Sequence, residues 1–166
     1  MHKFADDLPQ GEAEEKNLDR FFIELWHVEI QPATKEQQRD GIDRVWTTPD
    51  ERRFSVEYKA DWKAAETGNA FIEVVSVDKD GKPGWAYTSL AQYLIYYIPP
   101  WKRVYICPMT MVKERLLDWV GTYPHKVIPN EGRNAENYNT VGVPVPLDVF
   151  ESECKPLIRH IGEIAE

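Results

Sequence analysis

The sequence predicts a mixed α/β domain: a central sheet led by an antiparallel hairpin meander, with helices on its faces. Three observations predict it. Two short alternating runs, Gly41 to Trp46 and Arg53 to Lys59, flank a turn at Thr47 to Glu51 that contains Pro49 and Asp50, which is the pattern of a β-hairpin. After the turn signal Gly68-Asn69, residues Ala70 to Val77 are rich in β-branched and aromatic side chains and read as the third strand of the meander. Ahead of the hairpin, Leu18, Phe21, Phe22 and Leu25 recur at helical spacing, one apolar stripe of a helix.

Taken in order, residues 1–10 read as a tail and 11–166 as one domain, since a chain of 166 residues suits a single core. Gly11 to Trp26 is the first helix, with Glu12, Glu14 and Glu15 in the turn where acidic side chains suit the helix dipole. Trp26 to Ile30 is a short apolar strand, and Pro32 to Arg39 a polar link. Beyond the meander, Asp78 to Gly84 is a loop. Thr88 or Ser89 then caps a helix that runs to about Ile98 and stops at Pro99-Pro100. Arg103 to Cys107 is a strand, and Thr110 caps a helix from Met111 to Val120. Lys126 to Ile128 and Tyr138 to Val145 are short strands around a polar loop, Pro129 to Asn137, whose Arg133 is placed to reach a phosphate backbone. Pro144 and Pro146 demote the second of these to an edge. Asp148 to Ala165 closes the chain as an amphipathic helix interrupted near Pro156.

The hairpin carries the chemistry. Asp43 and Glu57 are equidistant from residue 50, so symmetric pairing sets them opposite each other on one face, with Cβ atoms roughly 5 Å apart. Two carboxylates that close repel unless a cation lies between them. A divalent metal suits the gap, because Mg²⁺ takes oxygen ligands and needs only one or two carboxylates. Lys59, two residues past Glu57, points to the same face. Asp50 belongs to the tip of the turn, where Pro-Asp is ordinary turn chemistry. Asp40 is a weaker rival to Asp43.

Asp43 followed by Glu57-x-Lys59 on the next strand resembles the active-site signature of the PD-(D/E)XK nuclease superfamily, over roughly residues 11–107. The resemblance implies a restriction-endonuclease-like core, in which a helix and a strand precede the Asp/Glu-x-Lys hairpin. It implies a metal-dependent DNA endonuclease in which Asp43 and Glu57 hold Mg²⁺ (Mn²⁺ can substitute), with the Tyr58 carbonyl a further ligand and Lys59 orienting water and stabilising the transition state. Many relatives complete the site with a glutamate on the first helix. Glu15, in a G-x-x-x-E spacing from Gly11, is similar to that of archaeal Holliday-junction resolvases; Glu14 gives the G-x-x-E spacing of RecB-type nucleases. Gln92 and Tyr96 resemble the Gln-x-x-x-Tyr motif of the RecB type, which orients catalytic groups and DNA. Glu73, Asp61 and Arg44 are further candidates for contacts around the site. Mid-strand Glu73 has apolar neighbours on both sides, and a buried carboxylate there needs a partner. Asp61 continues the Glu57–Lys59 face. Cutting both strands implies two active sites and hence a homodimer or larger.

The net charge of −8 opposes DNA binding, which rests on Lys and Arg neutralising phosphates. A carboxylate metal site, however, is neutralised by its own ion. The alternative is an inactive member of the same fold that binds nucleic acid or a protein partner. No apolar run approaches a membrane span, and the N-terminus has no signal-peptide core, so a cytoplasmic protein is expected. Cys107 and Cys154 sit in unrelated contexts and suggest no zinc site. His125 and His160 read as structural or exposed. No internal repeat, glycine-rich phosphate loop or Ser/His/Asp motif appears.

Overall fold

The computed structural model describes the backbone of residues 2–132 and 136–162, and side chains from residue 10 onward. Arg133 lies outside the described residues, as does the end of the expected closing helix beyond residue 162. The elements run β1 (His2–Lys3), α1 (Phe4–Trp26), β2 (Glu29–Pro32), α2 (Lys35–Arg39), β3 (Arg44–Thr47), β4 (Arg53–Ala60), α3 (Ala64–Thr67), β5 (Asn69–Val77) and β6 (Lys82–Pro83). There follow α4 (Trp85–Thr88), β7 (Tyr93–Ile98), β8 (Arg103–Pro108), α5 (Met109–Thr122), β9 (Lys126–Glu131), β10 (Asn137–Pro146), α6 (Leu147–Cys154) and β11 (Leu157–His160). The α/β class holds: a six-stranded mixed sheet in the order β11-β8-β7-β4-β3-β2, a second sheet in the order β1-β9-β10-β5-β6, and flanking helices.

The hairpin forms in the expected register. Arg44 pairs with Val56 and Thr47 with Arg53, and β2 completes an antiparallel meander on β3. Asp50 sits at the exposed tip, held by the Thr48 hydroxyl and by Arg52 at 2.8 Å. The helix expected from Gly11 starts earlier, at Phe4, and buries Leu18, Phe21 and Phe22 against Trp46, Val56, Tyr58, Ile95 and Tyr97 on the outer face of the six-stranded sheet. Within the expected polar link, α2 is nucleated by a capping box: the Thr34 hydroxyl accepts from Gln37 N, and Gln37 Oε1 accepts from Thr34 N.

Several expectations are corrected. The stretch read as a helix to Ile98 is strand β7, parallel to β4 and antiparallel to β8. Leu94, Tyr96 and Ile98 enter the core shared by the two sheets, while Ile95 and Tyr97 enter the core under α1. A strand buried on both faces is apolar throughout, and such a short run has no periodicity to separate it from a helix. The strand from Ala70 exists, but not as the third of the meander. The turn through α3 and Gly68 carries β5 into the second sheet, beside β10 and β6, and β7 takes the free side of β4. Thr110 is not a cap, because α5 starts at Met109. The closing helix ends at Cys154, where Lys155 adopts φ +46°, and the chain continues as β11 on the edge of the six-stranded sheet. Finally, β10 is not an edge strand, since it lies between β9 and β5. Pro144 and Pro146 fall in the part that pairs with β5 alone, beyond the last β9 pairing at Gly142, so the missing N–H groups cost no ladder bond on the other side.

Candidate functional site

Asp43 lies one residue before β3, just past the last pair of the hairpin, Arg44 with Val56, and so beside Glu57 at the end of the pairing with β4. The Asp43 N–H donates to the Val56 carbonyl at 2.9 Å, and its Oδ2 accepts from the Tyr58 N–H at 2.7 Å. The carboxylate thus reaches over the end of the hairpin and is fixed by the backbone of β4. Glu57 is almost wholly buried, at 4% exposure. Its Oε1 is 3.0 Å from Lys59 Nζ, but its Oε2 has no hydrogen-bond partner among the described residues. The Ser89 hydroxyl lies near enough to favour the Glu57 charge, yet its proton goes to the Gly41 carbonyl at 2.9 Å. Gly41 permits that approach: it has φ +72°, and a Cβ there would stand 2.9 Å from Ser89 Cα.

Lys59 is the cation around which the acids gather. Its amine lies 5.8 Å from the centre of the Trp85 ring, within cation–π range. Burial disfavours its charge, but Glu57, Glu73 and Asp43 outweigh that and raise its pKa. Glu73 acts on this lysine through its charge from the second sheet, where Gly84 packs against its backbone. Glu57, Asp43, Glu15 and Glu73 all titrate above the ordinary carboxylate range, and burial is the largest cause in each. The Asp43 charge adds to the rise at both Glu57 and Glu15. Shifted groups clustered in this way make the place a candidate functional site.

The structure brings Glu15 of α1, rather than Glu14, next to Asp43. Glu14 is half-buried beside Asn17, and its charge acts on Tyr97 rather than on Asp43. Glu15 is held by Arg44 at 3.1 Å, and the same guanidinium contacts Asp19 at 3.1 Å and stacks 5.5 Å from the Tyr58 ring. Arg44, expected at a nucleic-acid contact, is therefore mostly buried and engaged inside the protein. Asp19, which the sequence reading passed over, also accepts from the Tyr58 hydroxyl at 2.8 Å. Its signal was present: Asp19 lies four residues after Glu15 on one helix face.

The remaining candidates tie elements of the fold together. Gln92 Oε1 accepts from the Ser55 N–H at 2.9 Å, and the Gln92 N–H donates to Ser55, fastening β4 to the start of β7 two residues before Glu57. Asp61 Oδ1 caps α3 through the Ala64 N–H at 3.0 Å, and its Oδ2 takes the Tyr96 hydroxyl and the Phe71 N–H. The Tyr96 oxygen also accepts from Phe71 N at 3.0 Å, so the pair stitches β7 to β5. Tyr96→Phe is expected to cost roughly 1–3 kcal/mol by leaving buried polar groups short of a partner, read as a lower thermal midpoint. An unchanged midpoint with lost activity would put that hydroxyl on the substrate instead.

The oxygen donors of Asp43 and Glu57, with one Glu57 oxygen unpaired, suit a hard divalent cation that keeps most of its waters. Among the described residues no three His, Cys, Asp or Glu side chains converge as a ready-made metal group. Beside Lys59 a cleft of about 380 Å³ opens between the two sheets. No helix among the described residues is long and apolar enough to cross a membrane. Compared with family models, with curated proteins and with solved structures, the chain matches none.

Proposed function

We propose that the protein is a Mg²⁺-dependent DNA endonuclease of the PD-(D/E)XK kind, with its centre at Asp43, Glu57 and Lys59. The observation that carries this reading is the buried Glu57 Oε2, unpaired and across the hairpin from Asp43. An unpaired buried charge is expensive, and a cation at that point would offset it. The order α1, β2, β3, β4 and the parallel strand β7 support the restriction-endonuclease-like core that the reading implies.

Asp43 and Glu57 would hold the ion, with the Tyr58 carbonyl a further ligand and Glu15 beside them. When bound, the ion would lower the pKa of water and polarise a phosphodiester. Lys59 keeps its charge because three acids surround it, so it can orient the attacking water and offset charge growing on the phosphate oxygens. Gln92 acts at one remove, through the Ser55 backbone.

A cleavage panel tests the reading. Linear, single-stranded, flapped and four-way-junction DNA are incubated with the protein in Mg²⁺ and then Mn²⁺. Metal-dependent cutting is expected for at least one of them. If none is cut, and neither metal raises the melting temperature, the protein is instead an inactive module of the same fold that binds nucleic acid or a protein partner.

A further inference from the structure

We propose that the cleft between Lys59 and Lys126 takes one unpaired nucleotide of a DNA strand, so that the protein engages single strands and frayed or flapped ends in preference to continuous duplex. What happens to the phosphate afterwards rests on the nuclease reading; the binding itself does not.

Three lysines from separate elements line this cleft: Lys59 on β4, Lys63 just before α3 and Lys126 at the start of β9. In a chain of net charge −8, Lys63 and Lys126 are the two cations of this concave surface that Glu57 and Glu73 do not already match, as they do Lys59, and they form a local anion site against the average field. Lys63 pairs only with exposed Glu66, at 3.0 Å, a contact that costs little to exchange. Lys126 is exposed and has no ion pair among the described residues. Of the acids that line the cleft, Asp61 is spent on Tyr96, Ala64 and Phe71, and Glu73 stands at the Lys59 end, where its charge is matched. The walls between the lysines are largely apolar, with half-buried Phe71 as the aromatic surface and buried Trp85 behind Lys59. Charged rim and aromatic wall are what a strand needs for its phosphates and its bases.

Size decides between strand and duplex. A volume of about 380 Å³ encloses one group of small-molecule size. A base reaches it from a duplex only by leaving its stack, and that is easiest for a nucleotide already unpaired.

The test is fluorescence anisotropy of the whole chain with a labelled oligo-dT strand and with a duplex of equal length. It is run in EDTA, so that neither metal nor cleavage is required. The strand is expected to bind about tenfold more tightly than the duplex. Two phosphate contacts, at Lys63 and Lys126, predict a slope of log K against log salt of about −1.4. Lys126→Ala should reduce that slope by roughly 0.7 and leave the melting temperature unchanged. Equal or tighter binding of the duplex, or an unaltered slope in Lys126→Ala, overturns the proposal. Strand binding as expected, with no DNA cut in any metal, leaves the cleft assignment standing and removes the catalytic reading. Metal-dependent cutting of duplex with no strand preference does the reverse.

Discussion

Lys59→Gln and Asp43→Asn proteins should fold, and each should cleave DNA roughly 10²–10³-fold more slowly than the wild type, the usual cost of removing one group that acts on transition-state charge. These substitutions are chosen over alanine for structural reasons. The Asp43 carboxylate accepts the Tyr58 N–H at 2.7 Å; an asparagine oxygen keeps that bond, whereas alanine would orphan the donor. Lys59 is the partner of Glu57 Oε1, and alanine would leave both oxygens of a buried carboxylate unpaired. Glutamine retains a donor but not the charge. Asp43→Asn removes one of two ion-holding carboxylates, and Lys59→Gln removes the cation that faces the phosphate. The double variant should lose little more than the worse single, because groups that act as a unit are not additive. Full-rate cleavage by both single variants, measured under single-turnover conditions, would move the active site elsewhere.

How far the sequence reveals this arrangement depends on which interactions are local. Pairing about residue 50 depends only on a turn and two alternating strands, so the hairpin register from Arg44–Val56 to Thr47–Arg53, which brings Asp43 near Glu57, was legible. The α1 stripe was legible for the same reason. What β7 is, and where β5 goes, depend on partners far away in the chain. Tyr93 to Ile98 is uniformly apolar because it is buried on both faces, and that pattern suits a buried helix equally well. Glu73 was flagged as a carboxylate in need of a partner. The cation whose charge favours its ionised form, Lys59, comes from the other sheet, which no spacing rule could supply. Gln92 and Tyr96 show a different limit. Their four-residue spacing suggested a helix face, but Tyr96 lies in strand β7 and Gln92 just before it, where their amide and hydroxyl bind the Ser55 backbone and the Asp61–Phe71 pair.

Without metal, the protein should melt at a higher temperature at pH 5.5 than at pH 7.5, and Mg²⁺ or Mn²⁺ should restore much of the difference at the higher pH. Glu57, Asp43, Glu15 and Glu73 all have pKa values raised by folding. Over the pH range between the ordinary carboxylate values and these raised ones, the native state binds more protons than the unfolded chain, so stability falls as pH rises. Above the raised values the whole penalty is in place. Lys59, also raised, contributes with the opposite consequence: its stabilisation is present at neutral pH and is lost only above the ordinary lysine range. Asp50 and Asp78 have lowered values, and their contribution is lost only on acidification below the ordinary aspartate range, outside this window. A divalent ion between Asp43 and Glu57 replaces the missing protons with charge. At a concentration a hundred times Kd it adds about 2.7 kcal/mol, roughly 5–10 °C for a chain of this length. Protons compete for the same oxygens, so the metal-induced shift should shrink at pH 5.5. Asp43→Asn should melt higher than the wild type at pH 7.5 without metal, since it removes a charge that both Glu57 and Glu15 feel, and it should lose the metal response. Scanning calorimetry of both proteins, at both pH values and with and without metal, separates the possibilities. If the metal-free midpoint does not fall with pH and metal does not move it, the four carboxylates are matched within the protein and hold no ion.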